Sequence, residues 1–188
     1  MYKKIFVIIG LLGLVGWGIY DDFFSSTKTP RTFQTSKSAS HKTANIGIQE
    51  GEKAPDFQLQ TLSGKDIKLS DIEGKKVILN FWATWCPPCK AEMPHIQEFY
   101  QDQKKNNVEV LSVNETTAEK DPNNVGTFID NYGLTFPVLL DRSGEVGQTY
   151  QAFTIPTSYI IDTKGIIQKK IVGPMDKEMM TELIKSIN

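Results

Sequence analysis

Residues 77–90 read Val-Ile-Leu-Asn-Phe-Trp-Ala-Thr-Trp-Cys-Pro-Pro-Cys-Lys, an apolar run that ends in a closely spaced pair of cysteines. The run predicts a buried strand, and a proline directly after Cys86 is typical of the first turn of a helix. A strand-to-helix junction brings the sulfurs of a Cys-x-x-Cys pair within bonding distance. We therefore expect Cys86 and Cys89 to cycle between dithiol and disulfide, and this junction to be the active site.

Composition limits the function classes that this chain can serve. Of its 188 residues, 39% are hydrophobic and 23% are charged, with a net charge of -1. This balance predicts one globular domain with appendages and gives no basic footprint for nucleic-acid binding. The two cysteines and two histidines cannot supply a convincing four-ligand zinc site. We expect no metal and no cofactor besides the Cys86–Cys89 couple itself.

The N-terminus is typical of a membrane-targeting segment. Lys3 and Lys4 precede the apolar residues 5–20, which Asp21 and Asp22 close. A helix of that length spans about 24 Å, short of a hydrocarbon core of roughly 30 Å, so a cleaved signal peptide stays an alternative. Because no small-x-small cleavage site directly follows, residues 1–24 are predicted to be a single-pass anchor in the cell membrane. The basic residues predict that the remaining chain lies on the extracytoplasmic side.

Residues 25–46 are rich in serine, threonine and lysine and show no apolar period. This composition predicts a flexible linker that holds a domain close to the bilayer. The domain itself is predicted to comprise residues 47–188.

Within that domain, strand patterns alternate with helix patterns, which predicts an α/β fold with parallel strands. Met175, Met179, Leu183 and Ile187 recur about every four residues in the last helix, so we expect them in the core. The predicted elements are a hairpin (57–62 and 65–69), a strand (77–83), a helix (87–103), a strand (108–113), a helix (121–132), a strand (137–140), a short helix (145–151), a hairpin (157–162 and 166–172) and a final helix (176–187).

Two segments resemble a known superfamily. Residues 80–90 resemble the active-site segment of the thioredoxin superfamily, and Thr154-Ile155-Pro156-Thr157 resembles its cis-proline loop. Gly-Glu-Lys-Ala-Pro-Asp-Phe at 51–57, the added hairpin and Glu-Met-Pro at 92–94 narrow the resemblance to the ResA/TlpA-like group. The resemblance covers roughly residues 47 to 188, although residues 53–57 alone are shared with peroxiredoxins.

The resemblance implies a thioredoxin-like fold, with a central mixed sheet flanked by helices and an added N-terminal β-hairpin. It also implies a membrane-tethered, extracytoplasmic thiol-disulfide oxidoreductase that reduces protein disulfides. Apocytochrome c is the substrate most typical of this group, and the reducing equivalents would come from a membrane thiol electron donor of the CcdA or DsbD type.

The position of each cysteine predicts its role. Cys86 begins the helix, where free amides and the helix dipole stabilise a thiolate, so it is the expected nucleophile. Cys89, deeper in the helix, would resolve the mixed disulfide. Pro87 and Pro88 have no amide hydrogen, which leaves the amide of Cys89 as the local donor to the Cys86 sulfur. A weakly stabilised thiolate favours a reductant over an oxidant.

Proton transfer at Cys89 needs a titratable partner. The resemblance places Asn80 where thioredoxin has a buried aspartate, and an amide cannot relay a proton. Glu92 follows Cys89 by one helical turn, and the resemblance assigns the matching glutamate to tuning the site. The alternative is a glutamate that only favours the helix dipole. Glu115, just past a predicted strand, is a second candidate for proton handling unless it is merely solvated.

Substrate contacts are expected on two segments. Trp85 is predicted to form an exposed apolar rim, whereas Trp82 is predicted to pack in the core. The resemblance puts Ile155 and Pro156 opposite the cysteines, where a cis bond turns the backbone of Ile155 towards an extended substrate strand.

Other functions stay open at this point. The same couple could oxidise exported proteins, or the fold could act as a non-catalytic haem or peptide chaperone. A thiol peroxidase, with antioxidant activity, is a third possibility. Such enzymes carry a threonine three residues before the reactive cysteine, where this chain has Ala83.

Overall fold

The computed structural model describes residues 44–187. The predicted anchor and nearly all of the predicted linker lie outside these residues. Within residues 44–187, no helix combines the length and the apolar character that a membrane span requires.

The described part of the chain alternates strands and helices much as the sequence predicts. The elements are β1 (Gln58–Thr61), β2 (Asp66–Lys68), β3 (Lys76–Trp82), α1 (Pro87–Gln103), β4 (Val108–Asn114), α2 (Asn124–Tyr132), β5 (Val138–Leu140), α3 (Glu145–Thr149), β6 (Thr157–Ile161), β7 (Ile167–Val172) and α4 (Lys177–Ser186), with short 3-10 helices at Leu69–Ile72 and Thr116–Ala118.

All seven strands form one sheet in the order β2-β1-β5-β4-β3-β6-β7. β3 pairs in parallel with β4, and β4 with β5, whereas the remaining pairs are antiparallel. The predicted mixed sheet and its added N-terminal hairpin, β1–β2, are therefore confirmed. β3 lies between β4 and β6, so the segment that carries the cysteines emerges from the interior of the sheet.

Successive side chains of β3 point to opposite faces of the sheet, because strand residues alternate. Ile78 and Trp82 belong to a core that includes residues of α1, α2 and α4. Leu79 and Phe81 belong to the core on the other face, which includes Tyr150. Asn80 has the same parity as Ile78 and Trp82, and it is fully buried. Its register partners, Ser112 on β4 and Ser158 on β6, are buried as well, so a small polar group lies within the apolar core on this face.

Two predicted details are wrong. The second helix begins at Asn124 rather than Asp121, because the carbonyl of Asp121 accepts the Asn124 amide in a turn. In α4 the fully or nearly fully buried residues are Met180 and Ile184, whereas Met179 is 36% exposed. Of the four predicted core residues, Met175 is buried and Leu183 and Ile187 pack partly against the core, so only Met179 was placed wrongly.

Candidate active site

The cysteines lie where β3 passes into α1. Cys86 is the N-cap of α1 and has an extended backbone conformation, and prolines occupy the start of the helix. Cys86 and Cys89 form a disulfide with an S–S distance of 2.10 Å. Cys86 is 2% exposed and Cys89 is fully buried. The structure therefore contains the oxidised form of the predicted couple. Of the two cysteines, only Cys86 has any surface that a partner could contact.

The local hydrogen bonding of Cys86 follows from the two prolines. The amide of Cys89 donates to the Cys86 sulfur at 3.3 Å. Pro87 and Pro88, which precede Cys89 in the helix, have no amide hydrogen to give. The donor arrangement predicted from the sequence is confirmed.

The loop before β6 faces the disulfide. The peptide bond between Ile155 and Pro156 is cis. The carbonyl oxygen of Ile155 lies 3.7 Å from the Cys86 sulfur. Two aromatic side chains are exposed near this loop: Trp85 at 46% and Phe153 at 78%. The sequence predicts the exposure of Trp85, whereas the exposure of Phe153 follows from no sequence pattern, since it is an isolated phenylalanine before a loop.

Glu92 is buried one turn beyond Cys89, with 1% of its surface exposed. The amide of Met175 donates to its Oε1 at 3.0 Å, and Asn80 Nδ2 donates to its Oε2 at 3.3 Å. Asn80 also donates to Ser158 Oγ and accepts from Ser112 Oγ. Asn80, whose amide cannot relay a proton, therefore holds the carboxylate of Glu92 in place.

Burial raises the pKa of Glu92 from 4.5 to about 7, and the two hydrogen bonds that it accepts only partly oppose the rise. Because Cys89 and Glu92 are both buried on one side of α1, a group that exchanges protons near neutral pH lies in the helix that carries the couple. A carboxyl group with this pKa can gain or lose a proton near neutral pH, whereas one with the ordinary value stays ionised there.

Glu119, which the sequence analysis did not identify, holds the segment before Cys86. Its Oε1 accepts the amide of Thr84 at 2.7 Å and Nδ2 of Asn114 at 2.8 Å, and its Oε2 accepts Thr84 Oγ1 at 2.5 Å. The indole of Trp85 donates to the carbonyl of Ala118 at 2.8 Å. The turn after β4 thus fixes the residues that lead into the active site. Only the three-dimensional approach of two loops reveals this link.

Glu115 directly precedes this turn and lies in a cleft of about 450 Å³ that Trp85 and Ile155 also line. Burial, together with the nearby carboxylate of Asp141, raises the pKa of Glu115 to about 7. The structure thus places Glu115 beside the active-site loops, where it packs against Gly147 of α3 rather than joining the Asn80–Glu92 network.

Residues 44–187 contain no group of three or more histidine, cysteine, aspartate or glutamate side chains arranged to hold an ion.

Comparison with known proteins places this geometry in a family. The model of the AhpC/TSA family matches residues 50–170. The thioredoxin-like protein YneN of Bacillus subtilis is 42% identical over 94% of this chain and 92% of its own length. The thiol-disulfide oxidoreductase ResA of Geobacillus thermodenitrificans is 38% identical over 96% of this chain and 92% of its own length.

A solved structure confirms the predicted thioredoxin-like fold. The crystal structure of StoA from Bacillus subtilis superposes with a TM-score of 0.63 and 40% identity, over 69% of this chain and 96% of StoA. The chain therefore belongs to the AhpC/TSA family and, within the thioredoxin superfamily, to its ResA/TlpA-like thiol-disulfide oxidoreductases.

Proposed function

We propose that this enzyme is a membrane-tethered, extracytoplasmic reductase of protein disulfides. The observation that carries the proposed direction is that, within residues 44–187, the amide of Cys89 is the one amide that donates to the Cys86 sulfur. Strong oxidants of this chemistry owe their potential to a well-stabilised reduced form. Two prolines at the start of α1 remove donors that would otherwise stabilise a Cys86 thiolate, so the reduced form gives up its electrons more readily.

The proposed reaction consists of two thiol-disulfide exchange steps, one by Cys86 and one by Cys89. The Cys86 thiolate attacks a substrate disulfide, forms a mixed disulfide and releases one substrate thiolate. The Cys89 thiolate then attacks the Cys86 sulfur, which forms the internal disulfide and releases the second thiolate. Two electrons pass to the substrate, and a membrane thiol donor of the CcdA or DsbD type would restore the dithiol.

Glu92 is the proposed proton acceptor for Cys89 in the second step. A buried thiol is a poor nucleophile until it loses its proton. Glu92 lies one turn away on the buried side of α1, and its pKa of about 7 allows it to accept that proton at neutral pH.

The proposed substrate is an extended polypeptide. The backbone of Ile155 faces Cys86, and Trp85 and Phe153 give exposed apolar surface near it. Main-chain hydrogen bonds at such a loop would hold many sequences, because they do not depend on side chains. The resemblance described above makes apocytochrome c the first candidate.

Trapping in cells tests this proposal. A Cys89→Ala variant keeps the nucleophile but cannot resolve the mixed disulfide, so we expect it to accumulate covalent complexes with exported proteins that dithiothreitol releases. A Cys86→Ala/Cys89→Ala variant is the matched control and should trap none. In cells that lack the enzyme, the trapped partners should become more oxidised. Partners that become more reduced would indicate an oxidant, and equal trapping by the control would contradict the proposed chemistry.

A peroxidase role gains no support from the site. Ala83 occupies the position where peroxidases carry a threonine, and the hydroxyl of the adjacent Thr84 donates to Glu119.

A further inference from the structure

A cleft beside the disulfide has one ionisable group that the proposed reaction does not use. The cleft of about 450 Å³ runs from Trp85 and Ile155, which flank Cys86, to Phe153 and the start of α3. Its walls near the disulfide are apolar, and Glu115 lies among its lining residues. The cleft therefore adjoins both segments that flank Cys86.

The carboxylate of Glu115 lies against Gly147 of α3. A Cβ atom at residue 147 would lie 2.3 Å from Glu115 Oε1 and 2.5 Å from Oε2, so only glycine lets the carboxylate occupy its present position. Gly147 belongs to helix α3 and does not have a positive φ. The position therefore needs glycine because there is no room for a side chain, not because of its backbone conformation.

The Glu115 carboxylate has no partner within residues 44–187. Its Oε1 is buried without a hydrogen bond, and no side-chain hydrogen bond or ion pair in the described chain reaches its Oε2. The neighbouring carboxylate of Asp141 is already satisfied, since it accepts the amides of Gly144 and Gly147. Burying Oε1 without a hydrogen bond costs free energy, which a cation or donor brought by a ligand would recover.

We propose that this cleft binds the substrate segment next to the reactive cysteine, and that Glu115 selects a lysine or arginine side chain there. The proposal rests on the proposed reductase function. A cation suits the position because two carboxylates meet at Gly147, whose amide donates to Asp141 Oδ2 and whose α-carbon lies against the carboxylate of Glu115. The apolar rim of Trp85 and Phe153 suits the methylene stem of a long basic side chain.

Paired peptides test the proposal. Each peptide contains one internal disulfide, and the members of a pair differ only in lysine or glutamine directly before or directly after one cysteine. The measurement is the second-order rate constant for reduction by the reduced protein. At whichever of the two positions gives the larger effect, we expect the wild type to reduce the lysine peptide roughly tenfold faster than the glutamine peptide. This factor corresponds to a partly shielded hydrogen bond between charged groups.

Three variants show whether Glu115 is the cause. Glu115→Gln keeps the shape of the side chain and should reduce the preference to less than about twofold. Gly147→Ala should have the same effect, because its methyl group displaces the carboxylate. Glu145→Gln removes an exposed charge from α3, the helix that contains Gly147, but outside the cleft. This variant should keep the full lysine preference.

The outcomes separate this proposal from the function on which it rests. If the wild type reduces both peptides of every pair equally, or if Glu115→Gln retains the lysine preference, the selection by Glu115 is wrong and the reductase function stands. If the reduced wild type reduces no peptide, both proposals are contradicted.

Discussion

Replacing Glu92 by glutamine tests how strongly the folded protein resists an ionised carboxylate next to its redox couple. Folding raises the pKa of Glu92 from 4.5 to about 7, so the folded state holds this proton more tightly than the unfolded state. The resulting stabilisation is complete below pH 4.5 and is lost as the pH rises to 7. Above pH 7, the ionised side chain lowers the free energy of unfolding by an amount that no longer changes with pH.

The size of this cost follows from the two pKa values. One pH unit of difference corresponds to ~1.4 kcal/mol, so the rise from 4.5 to about 7 costs the folded wild type about 3 kcal/mol at pH 8 relative to pH 4. Glutamine cannot ionise and escapes this cost. It loses one of the two accepted hydrogen bonds, from Met175 or Asn80, but that penalty does not vary with pH.

The assay is chemical denaturation of the oxidised wild type and of Glu92→Gln between pH 4 and pH 8. Because the other titrating groups are common to both proteins, the difference between their free energies of unfolding isolates Glu92. We expect this difference to shift by about 3 kcal/mol in favour of the variant as the pH rises. Glu98→Gln, an exposed position on α1, should show no comparable shift. A difference that is constant across the range would refute the account of Glu92.

The remaining predictions concern the segment around Cys86. Pro88→Ala restores an amide that can donate to the Cys86 sulfur, so it should make the reduction potential more positive by about 20 mV, whereas Pro87→Ala, one position earlier, should change it less. Thr84→Val leaves an oxygen of Glu119 without its donor and should lower the free energy of unfolding by about 1–3 kcal/mol in urea titrations, whereas Thr84→Ser should stay close to the wild type. The wild type should consume no hydrogen peroxide in a steady-state assay supplied with thiol; sustained turnover would show that Ala83 does not prevent peroxidase activity.

The central elements of the fold could be predicted because their signals are local. The apolar run of β3 and the prolines that open α1 determine strand, helix and the position of Cys86 without reference to the rest of the chain. The amide donor to the Cys86 sulfur could be predicted for the same reason, since it depends only on which residues between Cys86 and Cys89 have an amide hydrogen.

The parts that could not be predicted depend on contacts between distant segments. Glu119 gains its role only because the turn after β4 meets Thr84, 35 residues away in sequence. The seat of Glu115 against Gly147 likewise needs β4 and α3 to be in place. In α4, Met180 rather than Met179 packs in the core, and the spacing alone does not distinguish the two because methionines occupy both positions.

The reduction potential of the Cys86–Cys89 couple tests the central claim most directly. It can be measured by equilibrating the wild-type protein with defined ratios of reduced and oxidised dithiothreitol and quantifying its free thiols. We predict a value close to that of thioredoxin, about -270 mV, as expected of a protein disulfide reductase. A value near that of the strong oxidant DsbA, about -120 mV, would contradict the account.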